Sequence, residues 1–454
     1  MSGTVALWTL LRRRTASAGE RRRLTEVLAV VAFATTTAVL LVVVGGFRAF
    51  WARAGGADGI ADGMEAGGEV SFAAQYPILA GIAVLLILVP LGTLGAAAAR
   101  LAAARRDARL AALRLCGATR AQVGGITLLD AAAQAVVGAA AGVVGYAALV
   151  PLVALTRFQG RAFDWSELWV GVPALLGAVA AVVVVAVLSA AVSLRRVAIT
   201  PLGVANRVTP PGMRAVRLLS TAAAVVGLVV VSKVSFGSLG VTIALVTGFV
   251  LAAFATMNVV GPFTIWLVGQ LTATLARSVP TLLAGRRIAD APKAAWRSVG
   301  GVGLATFIAG LTATFSLVDV ADGAPREEVA FVADLKTGGF LTLAIVGVLA
   351  AVSTGVMQAG RVIEQQREYR ALALAGTDPR TLDAARLRET LVPLLVSVGV
   401  ASGTVLMVMI PLVGLGAATD PGVIVQYLLC VVVAAGLVLA GAAASRGVAR
   451  AVAG

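Results

Sequence analysis

Two stretches of this 454-residue chain concentrate the side chains that could do chemistry. The first, RRDARLAALRLCGATRAQVGGITLLD (105–130), sets Arg106, Arg109, Arg114 and Arg120 around Leu113 and Gly117. The second, EQQREYRALALAGTDPRTLDAARLRE (364–389), sets Glu368, Arg370, Asp378 and Arg380 around Leu372 and Gly376. In the first stretch Arg106, Leu110, Leu113 and Gly117 recur at helical spacing, and Arg105 and Arg109 form a neighbouring cationic row. Either glycine would let the backbone turn sharply without a Cβ penalty. Such a segment offers a partner ionic and apolar contacts; it makes no bonds. A basic loop with a glycine turn is also what membrane topology alone would ask of a short connection.

Other chemistry is missing from the residues themselves. There is no histidine, the commonest general base and metal ligand. Cys116 and Cys430 have no metal-type spacing, and neither position suggests a disulfide. The three lysines, Lys233, Lys293 and Lys336, stand in no G-x-x-x-x-G-K-[ST] loop, so the chain cannot hydrolyse ATP by that mechanism. No catalytic residue and no metal site are expected.

The elements that must carry the two stretches are apolar. The composition is 59% hydrophobic and 13% charged, against roughly a quarter charged in soluble domains. Runs long enough to span about 30 Å of hydrocarbon fall at 25–47, 76–99, 124–150, 168–193, 217–235, 240–272, 299–319, 338–358, 390–412 and 422–444. An all-α polytopic membrane protein of about ten spans is predicted. The first run is full length and is read as an uncleaved span, not a signal peptide. With the N-terminus inside, 30 of the 37 basic residues fall on the inner side, so both termini are expected in the cytoplasm of a cell membrane. The +15 charge therefore reports topology and not nucleic acid. Arg outnumbers Lys 34 to 3, as high-GC coding would give, and an actinobacterial source is expected.

The chain also repeats itself. Residues 113–130 and 372–389 align without a gap, Leu113 with Leu372, Gly117 with Gly376 and Asp130 with Glu389. Each follows the second span of its half, and each half is entered through a basic segment, LLRRR (10–14) or LLAGRR (282–287). The predicted organisation is a basic interfacial segment (1–24), a first four-span repeat (25–216), a linking helix pair (217–274) and a second four-span repeat (275–454). VALWTLLRRR (5–14) reads as an interfacial elbow helix or a topogenic leader.

The twice-occurring pattern of charged amphipathic segment, L-x-L-x-G, polar turn and acidic residue resembles the FtsX-like (MacB-type) permease domain of ABC transporters. The ten-span duplicated form is similar to permeases of bacitracin-resistance-type peptide transporters. The resemblance implies a cytoplasmic ATPase partner, in two copies, that holds ATP and Mg while this chain binds no cofactor. It implies ATPase coupling through the two stretches, mechanotransmission, contact with membrane lipid, and an amphipathic peptide, antibiotic or lipid as substrate. Two departures stand out. The outer connections of about 28 and 18 residues (48–75 and 320–337) are too short for a sizeable outer domain. In the second copy Pro379 replaces Arg120 and suits a helix start.

Several residues keep two readings. Asp130 and Glu389, near the starts of the third and ninth spans, are stabilised either by the helix dipole or by an arginine of a neighbouring coupling segment. Gly138–Gly142 and Gly399–Gly403 have the spacing of close helix packing. Asn258 and Gln134 are expected to bond between helices. A secondary transporter with parallel repeats, or a regulator of cell-wall enzymes or of a sensor kinase, are the other functions considered.

Overall fold

The computed structural model describes residues 20–65, 71–104, 119–199, 239–315, 325–364, 374–413 and 419–453. Among them, nine helices are long and apolar enough to cross a membrane. The protein is an all-α, multi-pass membrane protein. In chain order the helices are α1 (Glu20–Arg53), α2 (Gly56–Glu65), α3 (Phe72–Ala104), α4 (Arg120–Ala154), the short α5 (Trp165–Leu168) and α6 (Gly171–Ile199). There follow α7 (Leu239–Thr274), α8 (Val279–Asp290), α9 (Pro292–Thr314), α10 (Arg326–Glu364), α11 (Pro379–Val413) and α12 (Pro421–Ala453). Strands β1 (Arg157–Phe158) and β2 (Arg161–Ala162) form an antiparallel hairpin between α4 and α5. The predicted fifth span (217–235) and the N-terminal segment (5–14) lie outside the described residues.

The surface is hydrocarbon-like. Val144, Leu152 and Val432 are each more than 60% exposed, a state that suits lipid tails and not water. Inside, helices meet through alanine, glycine and threonine, the residue types that let backbones approach without lipid-driven hydrophobic association.

In the first half α1 packs against α3, α4 and α6; in the second α9 packs against α10, α11 and α12. The halves meet where α10 lies against α3 and α1. α7 and α8 pack together and against α11. The α4/α1 contact depends on the first glycine pair. A Cβ on Gly138 would stand 2.5 Å from the Phe33 Cβ, and one on Gly142 would stand 2.5 Å from the Ala34 carbonyl oxygen. The second pair differs: Gly399 and Gly403 face open space on α11. Asn258 bonds between helices, its Oδ1 accepting from Trp296 Nε1 of α9 at 3.2 Å.

Two connections differ from the lengths read from hydropathy. α1 runs on to Arg53, and α10 begins at Arg326 with Glu327 and Glu328 in its first turn. Charged residues lower a hydropathy window without ending a helix, and carboxylates in a first turn favour it. Much of what reads as a fourth outer loop is therefore helix, and it carries Asp334 into the protein interior.

Candidate functional site

The two ends of the bundle hold different polar groups. At the end where α9 and α11 begin, the sequence places the coupling stretches. Arg106, Arg109, Leu113, Arg114 and Gly117, and Glu368, Arg370 and Leu372, lie outside the described residues. Their C-terminal flanks are described. Gly376 has φ +86°, the left-handed region in which a side chain is strained. Asp378 follows at the start of α11: its Oδ1 accepts from Arg380 N at 3.0 Å, and its carbonyl accepts from Thr381 N. α11 opens on Pro379. In the first copy Thr119 caps α4 through a reciprocal pair with Gln122, and α4 opens on Arg120. Thr119 and Asp378 are thus equivalent positions, both in sequence alignment and as caps. The Arg380 side chain is exposed.

Asp130 and Glu389 stand nearly three turns past the first residues of α4 and α11. The dipole effect fades within the first turn, so it does not account for them. Glu389 pairs with Arg287 of α8 at 3.7 Å, both side chains largely enclosed. Arg388 extends the link: its Nη1 donates to Ser278 Oγ (2.9 Å) and Thr281 Oγ1 (2.6 Å) at the start of α8. Among the described residues, the arginine that pairs with Glu389 belongs to the basic entry segment LLAGRR. α8 turns Ala284, Gly285 and Ile288 inward, leaving Val279 and Leu282 exposed beside Arg286. That is the amphipathic character of an interfacial helix. An R287E/E389R double variant is expected to recover at least half of the melting-temperature loss of either single variant. Coupling of this kind is typically about 1 kcal/mol; no recovery in a thermal-shift cycle would remove the ion pair as the link.

At the other end the hairpin is clamped onto α1. Arg53, with a side chain 2% exposed, donates from Nε to Glu167 Oε1 (3.1 Å) and from Nη2 to Glu167 Oε2 (2.6 Å). The same guanidinium donates to the carbonyls of Phe158 and Ala162, each at 3.0 Å, and lies 4.3 Å above the Phe163 ring. Arg48 donates to the Val170 carbonyl. Tyr146 donates to Leu168 O at 2.6 Å and accepts from Val170 N at 3.2 Å. Gln159 (φ 56°) and Gly160 (φ +73°) form the two-residue turn, whose positive φ values suit the strand twist.

Behind the hairpin lies a cavity of about 210 Å³ shared by both halves. Phe50 of α1, Tyr76 and Ala83 of α3, Thr312 of α9 and Phe331 and Gly338 of α10 represent its walls. Phe158 and Phe163 of the hairpin segment close it, and Phe50 stacks edge-on against both, with ring centroids 5.2 and 5.4 Å apart. Its polar feature is Asp334. Asp334 Oδ2 accepts from Tyr76 OH at 2.7 Å and from the backbone N of Gln159 at 2.6 Å. One carboxylate thus ties α10 to α3 and to the hairpin, across the two halves.

With these features in place, residues 81–202 match the family model described as FtsX-like permease C-terminal. The match covers a little over a quarter of the chain, from α3 through α4 and the hairpin to the end of α6. No curated protein and no solved structure matches the chain.

Arg53, Glu167, Tyr76 and Asp334 were not singled out by sequence. A signal existed for the first two: basic residues at 48, 53, 157 and 161 sit on the side that topology should leave poor in charge. For Asp334 the sequence offers only an acid near a span.

Proposed function

We propose that this chain is the membrane permease subunit of an ABC transporter, driven by a separate cytoplasmic ATPase. The observation that carries the reading is the FtsX-like match over 81–202, which includes the first cationic stretch. In this reading the duplicated four-span repeats (25–216 and 275–454) present two coupling segments to two ATPase copies, which hold ATP and Mg. Gly376, with its left-handed backbone, and the caps Thr119 and Asp378 set the angle between each coupling segment and its span. Closure of the ATPases would push on α4 and α11, and through the Glu389–Arg287 pair on α8. The movement reaches the opposite end by mechanotransmission along the spans. The hairpin end lies outside, both termini lie in the cytoplasm, and the substrate is an amphipathic peptide, antibiotic or lipid that is exported or extracted.

Tagged full-length protein is expected to co-purify with an ATPase whose hydrolysis vanadate inhibits. Leu113→Asp with Arg114→Asp, or Leu372→Asp alone, is expected to cut that association at least tenfold while membrane insertion is unchanged. Purification with no ATPase and no vanadate-sensitive hydrolysis sinks the proposal.

One observation favours a second reading. Asp334 is a buried ionisable group between the halves, as a secondary transporter would carry. It sits two turns into α10, near one end of the span and not at its middle, where such sites are built. Ion-gradient-driven transport by the chain alone in proteoliposomes would establish that reading in place of the first.

A further inference from the structure

Asp334 is 8% exposed, and both hydrogen bonds it accepts end on Oδ2. Both donors, the Tyr76 hydroxyl and the Gln159 amide, are neutral. Oδ1 has no partner among the described residues, and no described Lys or Arg pairs with the carboxylate. Arg53 of α1, the cation that clamps the hairpin, is consumed by Glu167 and two carbonyls. A carboxylate removed from water costs several kcal/mol unless a charge or enough donors compensate it. Two neutral donors on one oxygen leave the other without a described partner, on a residue that lines the cavity.

The rest of that cavity is apolar. Thr312 and Thr342 spend their hydroxyls on carbonyls of their own helices, Ile308 and Gly338. Tyr76, whose hydroxyl donates to Asp334, stacks on Phe50 at 5.6 Å and meets Phe331 edge-on at 5.4 Å, and all three rings line the cavity. Aromatic faces stabilise an adjacent cation. We infer that the cavity between the two halves binds an amphiphile with a cationic head and a hydrocarbon tail, an alkylammonium in chemical class. Asp334 is its counter-ion, and the apolar walls from α1, α3, α9 and α10 take the tail. The inference rests on the permease reading only for its meaning as a substrate or regulator site; binding itself requires no ATPase.

Three features select this ligand. An anionic head is repelled by Asp334. A neutral amphiphile fills the walls but leaves Oδ1 unpaired, so it binds less well. A small cation without a tail forgoes the apolar contact that most of the lining offers. Because Asp334 also holds α10 to Tyr76 and to the hairpin, a bound cation would act on the contact that joins the halves.

The test uses full-length protein, without ATPase, in phosphatidylcholine nanodiscs. Binding of radiolabelled dodecyltrimethylammonium is measured above empty nanodiscs, with dodecanol as the uncharged probe. Wild type is expected to bind the cation saturably and at least tenfold more tightly than dodecanol. Asp334→Asn keeps the acceptor for Tyr76 and Gln159 but not the charge. It should lose at least tenfold in cation affinity and keep dodecanol binding, while Asp334→Glu restores the cation preference. Ala83→Phe should abolish binding of both probes by filling the cavity. Equal cation affinity in wild type and Asp334→Asn overturns the inference. So does the absence of saturable wild-type binding, or loss of dodecanol together with the cation in Asp334→Asn, which would make the carboxylate structural. Failure here with intact ATPase co-purification removes the ligand alone; the converse result removes the ABC reading and leaves the site.

Discussion

Arg53→Ala is expected to be the most destabilising single substitution at the hairpin end, costing about 3–5 kcal/mol, the range for removing one partner of a buried ion pair. The substitution leaves Glu167 without its bidentate partner and the carbonyls of Phe158 and Ala162 without a donor. It also removes the cation above Phe163. Arg161 reaches Glu167 Oε1 at 3.0 Å but is 56% exposed, so it recovers little of the loss. Arg53→Lys restores the charge yet offers no planar fork for four acceptors, and should regain less than half. Thermal unfolding in nanodiscs reports the stability, and limited proteolysis at 157–162 reports the hairpin. A melting temperature within a degree of wild type in Arg53→Ala would show that the clamp contributes nothing to stability.

The second large effect is steric, and it separates two glycine pairs that look alike in sequence. Gly142→Leu should prevent the native α4/α1 approach, because even its Cβ would stand 2.5 Å from the Ala34 carbonyl and 2.6 Å from the Thr37 Cβ. Backbone cannot yield there without moving the helix, so the cost is at least the 1–3 kcal/mol typical of overpacking. Gly399→Leu and Gly403→Leu meet nothing within 4 Å and should change the melting temperature by little. Equal effects at Gly142 and Gly399 would contradict the packing of α4 on α1.

The physical basis of what sequence could tell differs from one feature to the next. The class follows from hydropathy, since a run such as 124–150 has no state other than a helix in hydrocarbon. One helix start was also readable: Pro379 suits a first turn, and α11 opens on it. Glu389 was readable only as an acid that wanted a partner. Its partner, Arg287, is about a hundred residues away, and no local pattern encodes that distance.

By itself the sequence determined an all-α membrane protein in which a cationic L-x-L-x-G motif occurs twice. Those properties are sums over local residues: burial in lipid, charge at connections, and turns that need glycine. The tertiary structure alone decided which of two identical-looking glycine pairs makes a helix contact. It also decided that Arg53 organises a hairpin and that Asp334 faces an apolar cavity shared by two halves. Side chains far apart along the chain acquire their energies only from their neighbours in space. The same carboxylate costs little in a loop, but in that cavity its charge asks for a cation.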